Sequence, residues 1–268
     1  MVIVIMGVIG GIVAVFMKSP IDAYFASARR AALTDVADTA VRRISRDLRK
    51  ALPNSIRNVS NASSQCIEFI PTKTGGRYRA DVGGGGDFLD FTTVDTSFNM
   101  LGLNSALPPD QQITSTTPAD VIAVYNLGIP DSDAYTAINT ATVTSVGGTG
   151  TTATETNIGI SRQFPRPSGS NRFHVIPGNE KIVSFVCPTS TPGDLIRYTN
   201  YAYPASVSAT SACPSSGGAI LARNVTCNFT YNGSDLQRNA LVQLSITLTD
   251  NSGETVSLYH EVHVNNTP

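Results

Sequence analysis

The sequence predicts an α+β protein: one long N-terminal helix, its apolar half protruding and its second half laid on the antiparallel β-sheet of a head. Three observations carry this. Residues 1–17 (MVIVIMGVIGGIVAVFM) contain no charged and no polar side chain. Residues 21–52 then place apolar residues in steps of mostly three and four, as one buried helix face requires. Beyond Pro53-Asn54 the period shifts towards two, and the chain closes on ALVQLSITLT and ETVSLYHEVHV around Asp250-Asn251-Ser252-Gly253, the clearest hairpin in the sequence.

The apolar half reads as a retained anchor. It is slightly shorter than the roughly 20 residues of a typical membrane span. It has neither the basic start nor the cleavage context of a signal peptide. Val4, Val8, Ile12, Val15 and Phe16 are the residues expected to face lipid or neighbouring helices, and Pro20 is expected to kink the rod without ending it. Gly7, Gly10 and Gly11 read equally well as sites of close helix approach or as ordinary membrane-helix glycines. Lys18, Arg29 and Arg30 favour a cytoplasmic C-terminus, whereas the cysteines favour an oxidising compartment. We take the cysteines as decisive, which puts the chain beyond the apolar half in the oxidising compartment.

In the amphipathic half the expected buried stripe is Ile21, Phe25, Ala28, Ala32, Leu33, Val36, Ala40, Ile44, Leu48 and Ala51, with Pro53 closing the helix. Asp38 and Arg42 form an i,i+4 pair of the favourable orientation. Residues 18–52 carry eight Lys/Arg against four Asp/Glu, so the rest of the chain holds eleven against sixteen. Such a basic stem and acidic head either attract each other between neighbouring copies or reflect a solvated helix face. The domain boundaries that follow are 1–20 for the apolar half, 21–53 for the spine and 54–268 for the β-rich head.

Within the head, strands are expected at 64–70, 88–94, 121–125, 172–176, 181–187, 195–198, 225–231, 241–249 and 255–264. The stretch 75–87, with its run Gly83 to Gly86, reads as a flexible connection, and 126–172, including TATVTSVGGTGTTATET at 140–156, reads as a long surface loop with room for a hairpin. Cys66, Cys187, Cys213 and Cys227 have no metal-ligand spacing. An even count in a Ser/Thr-rich chain points to one or two disulfides, and Cys187–Cys213, stapling the loop between them, is the favoured pair.

No constellation for catalysis stands out. His260 and His263 are three apart in a strand, hence on opposite faces, and His174 is isolated. No nucleophile elbow or phosphate loop is present. Asp131, Asp133, Asp81 and Asp87 suit turn chemistry better than calcium binding. The expectation is a non-enzymatic protein without cofactor or metal. With an acidic head and no basic stripe interleaved with aromatics, it is not expected to bind nucleic acid.

Several stretches resemble the type IV pilin and type II secretion pseudopilin superfamily, and within it the minor pilins of MSHA (mannose-sensitive haemagglutinin) pili. They are Ala28 to Leu33 (ARRAAL), Arg42 to Arg49 (RRISRDLR), Ala51 to Ser55 (ALPNS), Cys66 to Pro71 (CIEFIP), Gly76 to Arg79 (GRYR) and Val256 to Val264 (VSLYHEVHV). The resemblance implies a pilin-like fold and a structural subunit that primes or tips a pilus. Its partners would be other pilin and minor pilin subunits, the inner-membrane assembly machinery and, before assembly, the lipid bilayer. Family members begin with a basic leader, a Gly at the cut and Phe-Thr-Leu-Val/Ile-Glu. None of these is in the sequence, so a short acidic-containing stretch is expected ahead of Met1, and no residue here takes the docking role of that Glu. The alternatives are a type II secretion pseudopilin, or a membrane-anchored surface module holding a ligand in loops 126–172.

Overall fold

A single helix, α1 (Val2–Leu48), leads into fourteen strands among the described residues. The computed structural model describes residues 1–60, 63–81, 83, 85–148, 150–200, 213–233 and 239–268, with backbone alone for residues 14, 15 and 19. Helix α1 runs through Pro20 without interruption; at 1.5 Å per residue it is about 70 Å long. It ends at Leu48 rather than at Pro53. There the Leu52 N–H donates to Ile70 O (2.7 Å) and the Thr72 N–H to Lys50 O (2.7 Å). Pairing with the chain beyond Ile70 thus takes the place of one more helical turn.

The helix-bearing half contains β1 (Arg57–Ser60), β2 (Ser64–Phe69), β10 (Val183–Pro188), β11 (Gly193–Thr199), β12 (Ala219–Asn232), β13 (Asn239–Thr249) and β14 (Thr255–Asn265). They form one antiparallel sheet in the order β1-β2-β10-β11-β12-β13-β14. The expected hairpin is β13–β14, in register from Asn239↔Asn265 to Thr249↔Thr255. Helix α1 crosses β12, β13 and β14. Its buried stripe is Ala37, Ala40, Val41, Ile44 and Leu48, set against Phe185, Val225, Phe229, Leu244, Ile246 and Val262. Alanines at 37 and 40 let the helix backbone come close to the sheet. The stripe therefore starts later than its periodicity implied: Ile21, Phe25, Ala28 and Ala32 are exposed, Leu33 is the first residue packed against the core, and Val36 is 41% exposed.

The sheet curls. Strand β12 outruns β11, whose pairing with it stops at Gly193↔Val225, and its far end turns back towards β2. The Phe229 N–H donates to Gln65 Oε1 (2.8 Å) and Asn58 Nδ2 donates to Phe229 O (2.7 Å). Two disulfides pin the curl, Cys66–Cys213 and Cys187–Cys227, with Cα–Cα distances of 5.8 and 5.7 Å. The favoured Cys187–Cys213 pair is thus incorrect, and register explains why. Cys66 lies opposite Val186, so Cys187 points to the other face. That is the helix-side core, where Cys227 also sits.

Between β2 and β10, neighbours in the sheet, the chain makes a large excursion with two further sheets. One has the order β3-β9-β5-β6, from β3 (Thr74–Arg77), β9 (Arg172–Ile176), β5 (Val121–Val124) and β6 (Thr140–Thr142). The other has the order β4-β8-β7, from β4 (Asp95–Leu101), β8 (Glu155–Arg162) and β7 (Ser145–Val146). They enclose a core of Tyr78, Phe98, Ile122, Ile158, Phe164, Phe173 and Val175. Three expectations change here. The connection at 75–87 opens with strand β3. The region 126–172 holds β6, β7 and β8, with Ala141, Val143, Ile158 and Ile160 buried. Residues 88–94 are not a strand, because the Asp90 carboxylate accepts the Thr92 N–H and both the Thr92 and Thr93 hydroxyls, folding that segment into turns. The strand is the following stretch, β4. Gly84 and residue 149 lie outside the described residues.

A third cluster joins the halves: Leu52 and Ile70 from the helix-bearing half meet Val121, Ala123, Tyr135 and Ile176 of the excursion. Around it the Tyr135 hydroxyl donates to Ser55 O (2.9 Å), Asn126 Nδ2 donates to Pro53 O (2.7 Å), and Arg57 pairs with Asp133 (3.2 Å) while its guanidinium lies 3.4 Å from the Tyr135 ring centroid.

Candidate functional site

The feature that demands explanation is the first third of the helix. Val4, Val8, Ile12 and Phe16 are 69, 57, 54 and 77% exposed. Val15 lies on the same helical turns, its side chain outside the described residues, and Pro20 sits inside the helix with its ring exposed. A Cβ placed on Gly7, Gly10 or Gly11 meets nothing within 4 Å, so these glycines serve no packing inside the chain. The helix is long and apolar enough to cross a membrane, and its most apolar window is wholly exposed. From Met1 to Met17, twelve large apolar side chains face outward. Burying such a side chain is worth ~1.5–3 kcal/mol, so leaving them in water costs on the order of 20 kcal/mol. That exceeds the ~5–15 kcal/mol that holds a typical domain folded. Lipid or other protein must cover this surface.

The helix leaves the head through a charged collar. Arg30 donates from Nε and Nη2 to Glu254 Oε1 (2.9 and 2.6 Å), and Arg29 lies 3.7 Å from Asp250, both acids belonging to the β13–β14 turn. Asp250 is held below the usual carboxylate range, chiefly by the Ser252 hydroxyl, aided by the Glu254 and Ser252 N–H groups and the charge of Arg29. So part of the attraction between basic stem and acidic head is met within one molecule. The expected Asp38–Arg42 pair forms at 2.6 Å. At the helix C-terminus, Arg197 reaches from β11 to Asp47 (2.8 Å) and Glu180 (2.8 Å), beside a groove of about 380 Å³ lined in part by Arg43, Arg46, Lys50 and Phe69.

The remaining singled-out residues are dispersed. His260 and His263 take opposite faces of β14, His263 outward. Asp133 caps the short helical turn at 134–136 by accepting the Tyr135 N–H, Asp81 accepts the Gly83 N–H, and Asp87 accepts Asn157 Nδ2. The last belongs to a polar network in which Asn99 bridges Asn157 and Glu155, and Glu155 pairs with Arg79. That pairing holds the Glu155 carboxyl below its ordinary range. His174, largely enclosed, is pushed down to about 4 by burial and by nearby Arg172. Within 140–156, Thr140–Thr142 form β6, Ser145–Val146 form β7 and Glu155 opens β8.

Sequence reasoning found the exposed helix but missed how far it stands free of the head, and missed the arginine pair Arg77 and Arg172 beside His174 discussed below. Arg77 and Arg172 are far apart in sequence, and only strand register makes them neighbours. No family model matches the chain, and neither the curated proteins nor the solved structures yield a match.

Proposed function

We propose that this chain is a minor pilin-like structural subunit, without catalytic activity, for biogenesis of an MSHA-type type IV pilus, acting as a priming or tip subunit. The observation that carries the reading is the continuous helix: an apolar third wholly outside the fold, joined without a break to a spine packed on an antiparallel sheet. Such a rod is stable in lipid before assembly. It can leave lipid only if its apolar surface is covered again, and a filament core of packed rods offers that cover. The two disulfides suit a head folded in an oxidising compartment. The reading gives a single-pass protein of the bacterial inner membrane with a periplasmic head, passed by the assembly machinery to a pilus at the cell surface.

The test is Val8→Arg in a piliated host. Val8 touches nothing in the head, and an arginine mid-helix is strongly disfavoured in an apolar environment. The variant should retain both disulfides and be lost from sheared filaments. Incorporation equal to that of the parent, or absence of the parent itself from filaments and from their initiation, contradicts the proposal.

A further inference from the structure

The paired strands β3 and β9 end in an arrangement that the rest of the head avoids. Arg77 and Arg172 are direct cross-strand partners, and the pair before them on the same face is Gly75 with His174. Like charges directly opposite destabilise a ladder. Four other arginines of the head are matched to carboxylates: Arg57 to Asp133, Arg79 to Glu155, Arg197 to Asp47 and Glu180, Arg223 to Asp194; Arg162 donates to the carbonyls of Ala137 and Ile138. Arg77 and Arg172 are exposed and have no carboxylate partner among the described residues.

The space beside them is shaped. Glycine at 75 leaves room opposite His174, and a Cβ there would come 2.9 Å from Phe173 O. Gly76 is equally constrained, since its Cβ would stand 3.0 Å from the Phe173 ring. The result is a groove of about 310 Å³ lined by Gly75, Gly76, Arg77, Arg172, Phe173 and His174. His174 Nε2 is buried and has no hydrogen-bond partner. Burial and Arg172 keep the ring neutral, so His174 lines the groove without adding charge. Two guanidinium groups beside a small hollow supply the charge and the forked donors that an oxyanion takes.

We propose that this groove binds an oxyanion carried by an external ligand, with Arg77 and Arg172 as the paired anchors and His174 as a wall. The ligand is a single acidic group on a small molecule or polymer, since the groove is only large enough for one such residue. Whatever the chain assembles into, this gives the head a surface for acidic material.

The experiment titrates the full chain, in non-ionic detergent micelles, with glucuronate, inorganic sulfate and inorganic phosphate. It follows the Arg Nε–H signals by NMR and the heat of binding. At least one probe should saturate a single site and move the Arg77 and Arg172 signals together. Preference for glucuronate identifies a carboxylate source, and preference for sulfate or phosphate a tetrahedral ester. Arg77→Gln and Arg172→Gln should each weaken binding about tenfold, the loss expected for one charge-assisted hydrogen bond, while Arg223→Gln leaves it unchanged. Melting of each variant without anion verifies folding. If one fails to fold, Arg77→Lys, which keeps the charge and loses the fork, takes its place and should also weaken binding. The proposal is overturned if none of the three probes saturates, or if the Arg77 and Arg172 variants bind as the parent does.

Discussion

The helix-bearing half and the excursion between β2 and β10 have solved the same problem differently. The first has a core of aliphatic and aromatic side chains between α1 and a curled sheet, and both disulfides fix that curl. The second contains no cysteine and joins two small sheets around an aromatic core, with a network of Asp87, Asn99, Glu155, Asn157 and Arg79 on one side. The half that bears the protruding rod is thus covalently braced. The half distant from it relies on packing and on polar groups that must each find a partner. A rod that is pulled on in a membrane or filament loads the braced half first.

Four variants sharpen that contrast. The largest effect is expected from the double substitution Cys187→Ser, Cys227→Ser. Removing a native disulfide costs about 2–5 kcal/mol, and this one bridges β10 and β12 inside the helix-side core. Denaturant unfolding in detergent should show this loss. The cluster of Leu52, Ile70, Val121, Tyr135 and Ile176 couples the halves, so the curve should stay a single transition. A second transition appearing in the variant would mean that the excursion folds independently.

Next comes pH, which should act on the excursion through His174. Its folded value lies near 4, below the ordinary 6.5, so the unfolded chain binds the extra proton between those values. Stability is therefore full above about pH 6.5 and falls as the pH drops towards 4, by at most about 3 kcal/mol. His174→Gln should flatten that part of the profile. An unchanged slope would assign the dependence to carboxylates instead.

The smallest effect is expected at the collar. Arg30 is exposed, so Arg30→Ala should change stability by less than ~1 kcal/mol, an effect that salt removes. Arg197→Ala removes a largely buried guanidinium shared by Asp47 and Glu180. It should cost ~1–3 kcal/mol and keep most of that cost in salt.

The same contrast explains what could be read from the sequence. The helix and the β13–β14 hairpin were legible because their signals are local: a 3.6-residue period, a 2-residue period and an Asp-Asn-Ser-Gly turn. The excursion was legible only in part. The apolar runs at 121–125 and 172–176 were read as strands and are β5 and β9, whereas β3, β6, β7 and β8 are rich in Thr, Gly and Asn, and their faces are set by partners distant in sequence. Asn99 and Asn157 look like loop residues and lie buried within strands. Residues 88–94 are rich in Phe, Thr and Val, as strands are, yet the Asp90 side chain folds them into turns. The disulfide pairing depended on which face each cysteine takes, a matter of β2–β10 register. The helix was read too long at its C-terminus and too soon as packed, because periodicity marks an apolar stripe without saying how far the sheet beneath it extends. Of the functional surface, the apolar rod was plain from composition. The Arg77–Arg172 groove had no local signature.

The central claim is that the exposed apolar third of α1 exchanges lipid for the rods of other subunits. Its most direct test places a photo-crosslinking residue at position 12, where Ile12 faces outward, and irradiates both membranes and sheared filaments. The account predicts lipid adducts in the membrane fraction and protein adducts in filaments, mapping to the apolar N-terminal helix of a pilin subunit. Lipid adducts in every fraction, with no protein partner at position 12, would contradict it.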